Sequence, residues 1–173
     1  MMGHFLASLL FLGALGTTLV DSYCVEKGKN MAPEGKPSQI STYHSYGKAH
    51  HAIDGNRDGV FRMQSCILTR SEKSPWWRVD LLEPRTIGAV VVTNRNDCCW
   101  DRLKGAEVRV GNDHMNENPV CGTITEAEPG LVTRLCCPGM VGRFVSIVVP
   151  DSDDLLNFCE VEIYPEGTEK KCV

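Results

Sequence analysis

The chain has 173 residues, a formal net charge of −4 and a hydrophobic content of 42%, enough for one domain of common size. An acidic balance argues against a binder driven by phosphate contacts, so no nucleic-acid partner is expected. Beyond the N-terminus no apolar run reaches the roughly 18–20 residues of a membrane span, so no membrane insertion is expected.

Residues 5–15 are apolar, and small residues Gly13, Ala14 and Gly16 close the run. This is the pattern of a secretory signal peptide, although its basic region offers only His4. The cut falls between Gly16 and Tyr23, and residues 1–22 are read as the leader of a secreted, extracellular protein. Nine cysteines follow it: Cys24, Cys66, Cys98, Cys99, Cys121, Cys136, Cys137, Cys159 and Cys172. That density fits an oxidising compartment. The odd number leaves one thiol over, or one bond between chains. No Cys-x-x-Cys occurs, so zinc ribbons and thioredoxin-type sites have no support.

In chain order, 30–39 reads as a short strand with turns, and 50–59 as a turn-rich loop. Asp54 and Asn56 flank Gly55 there, a spacing that suits either a plain turn or hard-cation chemistry, which takes oxygen ligands from a curved loop. Trp77, Val79 and Leu81 fall on one face at period two with Arg78 and Asp80 opposite, which predicts a half-buried strand. Glu83-Pro84-Arg85 reads as a turn, and 87–93 as a strand buried on both faces. Further strands are expected at 106–111, 120–125, 131–136, 143–149 and 159–164, with a turn over 138–142. No helical period persists. Many short strands separated by turn signals predict an all-β, antiparallel jelly-roll sandwich, with function on the loops at one end.

The stretch from Thr93 to Gly111 stands out. Cys98 and Cys99 sit between Arg95 and Arg102, with Asp97 just before them. Either each cysteine bonds elsewhere or the two bond each other. Neighbouring Cα atoms lie about 3.8 Å apart, shorter than a relaxed disulfide prefers, so a bond between them would freeze the local backbone. Two sulfurs would then offer a polarizable, mostly apolar patch. Arginines supply several donors in a fixed fork, and Asp97 can hold one of them in place. A hydroxyl-rich neutral ligand, most simply a sugar, fits such a surface.

The runs Gly35-Lys36-Pro37, Ala52-Ile53-Asp54-Gly55-Asn56, Pro75-Trp76-Trp77-Arg78-Val79-Asp80-Leu81, Thr93-Asn94-Arg95, Asp97-Cys98-Cys99, Arg102-Leu103-Lys104-Gly105-Ala106-Glu107 and Cys159-Glu160-Val161-Glu162 occur in order. Together they resemble the F-type lectins, or fucolectins. The resemblance implies a single lectin-like domain over residues 23–173, with a discoidin-like fold, a terminal L-fucose site and a structural Ca²⁺. Arg95, Asp97 and Arg102 match the family's sugar-binding pattern, with Cys98 and Cys99 as the sulfur patch. The family's histidine position falls on Leu68, a departure that weakens binding or shifts the preferred sugar unless Arg62 or Arg70 reaches in. Phe61 aligns with a residue that packs on the sugar's methyl group, and a core role fits it equally.

The resemblance also implies calcium ligands: side-chain oxygens of Asp54, Asn56, Ser65 and Glu160, and carbonyls of His51 and Cys159. It implies the pairs Cys66–Cys159, Cys121–Cys137 and Cys98–Cys99. Cys24–Cys172 follows if the termini meet, leaving Cys136 free or competing for Cys121. The leading expectation is therefore a secreted lectin of innate-immune recognition, acting through avidity as a homo-oligomer. The alternative is a secreted structural or protein-interaction module whose sugar site Leu68 has spoiled. An enzyme is not expected: a glycosidase needs two facing carboxylates, whereas Asp97 and Asp101 share one loop and each has an arginine nearby.

Overall fold

The computed structural model describes residues 28–167. The expected leader and the expected Cys24–Cys172 pair lie outside the described residues. Among the described residues there are ten strands: β1 (Lys36–Gln39), β2 (Ile67–Leu68), β3 (Glu72–Lys73), β4 (Trp76–Thr93), β5 (Glu107–Gly111), β6 (Val120–Thr123), β7 (Val132–Val148), β8 (Asp153–Asp154), β9 (Asn157–Phe158) and β10 (Glu160–Pro165). Every pairing is antiparallel. The only helical elements among the described residues are short 3₁₀ turns.

β4 and β7 form the spine. They pair along both halves, while β1 and β10 lie along the other edge of β4 and β5 extends the sheet from β7 to β6. The alternation read from the sequence holds: Trp77, Val79 and Leu81 are buried, and Arg78 and Asp80 less so. Both halves of the spine feed one core, in which Trp77, Val79, Ile87, Val90, Val145, Ile147, Val161 and Ile163 pack together. Burying each such side chain stabilises the fold by about 1.5–3 kcal/mol. Trp77 meets Phe158 edge-on at 5.5 Å between ring centroids, and its indole N–H donates to the Ala49 carbonyl at 2.9 Å. These contacts make an antiparallel jelly-roll sandwich.

Two predicted turns are absent as breaks. β4 runs through Glu83-Pro84-Arg85, and β7 runs through Pro138 to Gly142. Each proline sits where the β4–β7 register shifts, between Asp80 and Arg85 or opposite the step from Ile87 to Ala89. A proline has no N–H to give to a ladder and is tolerated at such irregularities. Positive φ values at Leu82 (72°) and Gly139 (75°) mark the same two places.

The three disulfides implied by the resemblance are present: Cys66–Cys159, Cys98–Cys99 and Cys121–Cys137. Cys136 is itself disulfide-bonded, which corrects the expectation of a free or competing thiol there.

Candidate functional site

The loop after β4 is built on Asn94. Its buried side-chain amide donates to the carbonyls of Trp100 (3.0 Å) and Glu128 (3.2 Å), and its oxygen accepts the Arg95 N–H at 2.8 Å. One side chain thus closes the loop on itself and ties it to the neighbouring turn. Within that bracket Cys98 and Cys99 are joined, half-buried, with Cα atoms 3.8 Å apart. Cys99 takes a left-handed φ of 57° and opens the 3₁₀ turn Trp100–Leu103, which presents Arg102. An unfavourable conformation of this kind, at a non-glycine residue, is held only when its surroundings over-determine it.

Arg95 is clamped. Its Nε and Nη2 donate to the two oxygens of Asp97 at 2.5 and 3.1 Å, and its guanidinium lies 4.8 Å from the centroid of the Phe61 ring. Partial burial pushes the Asp97 carboxyl upward, but the Arg95 hydrogen bond and charge, with the Phe61 backbone N–H, outweigh it and hold Asp97 below its ordinary range. The arginine is therefore fixed before any ligand arrives.

Arg102 is more open, with its side chain 25% exposed. Its contacts are long: 3.5 Å to the Asn157 oxygen and 3.6 Å to Asp154. Its donors face an open depression of about 520 Å³ lined with Cys99, Trp100, Asp101 and Asp154. Arg95 does not line that depression, so the two arginines do not share one hollow.

Leu68 is buried and pairs with Asn157 across β2 and β9. Residues directly opposite in a ladder point to the same face. Asn157 donates to the Cys99 carbonyl at 3.1 Å, so Leu68 belongs to the same surface. Of the alternative cations, Arg70 donates its Nε to the Thr42 carbonyl at 3.3 Å, and Arg62 is exposed on the 3₁₀ turn Phe61–Met63. Sequence reasoning missed Asn157 and Asp154 altogether and gave Asn94 no role. Their contacts join segments far apart in the chain, and no local pattern marks them.

The 54–60 segment winds through successive side-chain turns. Asp54 accepts the Asn56 N–H, Asn56 the Asp58 N–H, and Asp58 the Val60 N–H, at 2.9, 3.1 and 2.9 Å. Acidic and amide residues at every second position make this curvature. Cys66–Cys159 ties the end of the segment to β10, beside Ser65, whose hydroxyl donates to the Val60 carbonyl at 3.0 Å. Glu160 forms the floor. It is 1% exposed, accepts the Gly55 N–H at 3.2 Å, and its Oε2 has no partner among the described residues. Burial, followed by the charges of Asp54 and Glu162, pushes its pKa up to about 8. An orphaned, buried carboxylate oxygen near a second carboxylate suits a hard cation. No group of three or more His, Cys, Asp or Glu among the described residues is placed to hold a metal. The remaining donors would have to be the amide of Asn56, the hydroxyl of Ser65 and the carbonyls of His51 and Cys159.

Residues 51–147 match the profile of a NedA-like, galactose-binding domain. Fucolectin-1 of Anguilla japonica is 41% identical over 143 residues, covering 78% of this chain and 80% of that protein. The fucolectin from Morone saxatilis (striped bass) serum superposes with a TM-score of 0.77 at 40% identity, covering 82% of this chain and 49% of that one. The chain thus spans about half the length of that serum lectin. A Streptococcus pneumoniae fucose binding module superposes with a TM-score of 0.73 at 26% identity, covering 80% of this chain and 96% of that one.

Proposed function

Since this chain belongs to the fucolectin family, we propose that it is a lectin for terminal L-fucose or related glycans, bound across Arg95, the Cys98–Cys99 sulfurs and Arg102. The observation that carries this reading is the contrast between the two arginines: one clamped by Asp97 over Phe61, the other with donors open to a depression beside the sulfurs. A pyranose lays its C–H face on the sulfurs and Phe61, and its hydroxyl oxygens accept guanidinium N–H donors. Clamping Arg95 in advance lowers the entropy lost on binding. The protein's relatives are lectins, carbohydrate-binding rather than catalytic.

Calcium belongs to the same proposal. Glu160, Asp54, Asn56 and Ser65, with the carbonyls of His51 and Cys159, would hold it, and the orphaned Glu160 oxygen supports that placement. Its contribution would be charge neutralisation that locks the 54–65 segment to β10. Secretion rests on the N-terminal pattern and on the serum origin of a relative; no helix among the described residues is long and apolar enough to cross a membrane. A homo-oligomer acting in innate-immune recognition would convert a weak single site into avid binding.

Leu68 favours a second reading, a protein-interaction module with a spoiled sugar site. Titration of the mature protein with L-fucose, alongside a glycan array, separates the two. Saturable binding that disappears in Arg102→Ala supports the lectin; no binding to any glycan below millimolar concentration supports the module.

A further inference from the structure

Leu68 brings an alkyl side chain to a surface where sugar hydroxyls are to meet arginines, so β2 supplies no polar partner. The segment packed on Leu68 carries one. Tyr43 donates its N–H to the Leu68 carbonyl at 3.0 Å, and Leu68 donates to the Gly47 carbonyl at 3.1 Å. The Gln39 amide donates to the same Gly47 carbonyl at 2.9 Å. The approach is tight: a Cβ on Gly47 would sit 2.8 Å from the Leu68 Cβ. Residues 43–47 are thus fastened along β2.

His44 projects from this fastened segment. Its ring meets Phe61 edge-on at 6.5 Å between centroids, on the ring that carries the Arg95 guanidinium at 4.8 Å. Tyr46 packs against the imidazole at 4.5 Å. The Tyr46 N–H donates to His44 Nδ1 at 3.2 Å. An imidazole nitrogen that accepts a hydrogen bond carries no proton, so the neutral ring bears its proton on Nε2. The exposed His44 therefore offers one oriented N–H donor beside the Arg95–Phe61 stack.

We infer that His44 is a sugar-binding residue: its Nε2–H donates to a hydroxyl of the glycan seated against Arg95 and Phe61, supplying from a loop the donor that Leu68 lacks. The inference rests on the lectin reading and deepens it.

The test is L-fucose titration of the full mature chain and of His44→Ala, His44→Gln and Arg102→Ala, each checked for an unchanged melting temperature. His44→Ala is expected to weaken binding between about 2- and 12-fold, the worth of one neutral hydrogen bond. His44→Gln, whose amide N–H reaches about as far as Nε2, is expected to recover most of that loss. If Arg102→Ala loses binding while His44→Ala binds like the parent, the His44 inference is overturned and the lectin reading stands. Equal losses in His44→Ala and His44→Gln also overturn the donor role. A parent protein that binds no fucose overturns both.

Discussion

Glu160 stands directly across from Thr93 in the β10–β4 ladder, and Cys159 donates its N–H to the Thr93 carbonyl at 2.8 Å. The floor of the proposed cation site is therefore the ladder partner of the last residue of β4, two residues ahead of Arg95.

Calcium should accordingly stabilise the fold as well as the loop. A ligand at about 100 times its dissociation constant contributes roughly 2.7 kcal/mol, and each kcal/mol moves the midpoint by about 2–4 °C in a domain of this size. Thermal melts in calcium and in EDTA should differ by about 5–10 °C. Glu160→Gln, which removes the anionic oxygens, should abolish the difference. Equal melting in the two buffers for the parent protein would remove calcium from the account.

The clamp on Arg95 should fail in acid. The Asp97 carboxyl titrates below its ordinary range in the folded protein, so its contribution is complete above the unfolded value of about 4 and is lost as pH falls through the depressed folded value. Fucose affinity followed from pH 7 down to about 3 should hold and then fall on that acid limb. Asp97→Asn should weaken binding by roughly 10-fold, as expected for a charge-assisted bond, and should lack the limb. A variant that keeps full affinity would show that the clamp is ornamental to binding.

The sulfur pair makes a separate prediction. Cys98→Ser with Cys99→Ser replaces a polarizable patch with hydroxyls and frees a backbone held by the Cys98–Cys99 bond. Binding should drop by about 10-fold or more, equivalent to roughly 1.4 kcal/mol, while the melting temperature changes little, because both residues are half-buried and outside the core cluster. Unchanged affinity would argue that the arginines alone hold the sugar.

Gly47 tests the fastening of the 43–47 segment. A Cβ there would meet the Leu68 Cβ, backbone N and backbone O at 2.8, 2.9 and 3.1 Å. Gly47→Ala should cost about 1–3 kcal/mol through overpacking, read as a lower denaturation midpoint. It should also weaken fucose binding by displacing His44. A variant with parental stability would mean that the segment yields without resistance.

How much of this was legible from the residues depends on the range of the contact. The alternation of Trp77, Val79 and Leu81 shows in the sequence because period two is a local property of a strand. The Asp54-Gly55-Asn56-Arg57-Asp58 run likewise shows as a turn, since Asp54 and Asn56 each accept the backbone N–H two residues on. Pro84 and Pro138 misled for the same local reason. A proline signals an end, but here the long β4–β7 pairing carries each strand past it at a register shift. The two-residue pairs β2–β9 and β3–β8 are too short to leave a pattern. With them the partnership of Leu68 and Asn157 was hidden, and so was the packing of His44 on the Phe61 ring. The sequence marked Arg95, Asp97, Cys98, Cys99 and Arg102 as one stretch. It did not reveal that Arg95 is clamped against Phe61 while Arg102 opens onto a depression that Arg95 does not line.

The most direct measurement is a crystal structure of the protein soaked with L-fucose. The account predicts density for one pyranose resting on the Cys98–Cys99 sulfurs, with hydroxyl oxygens within hydrogen-bonding distance of the Arg95 and Arg102 guanidiniums. Fucose bound elsewhere, no fucose at saturating concentration, or cysteines 98 and 99 found unbonded to each other would contradict it.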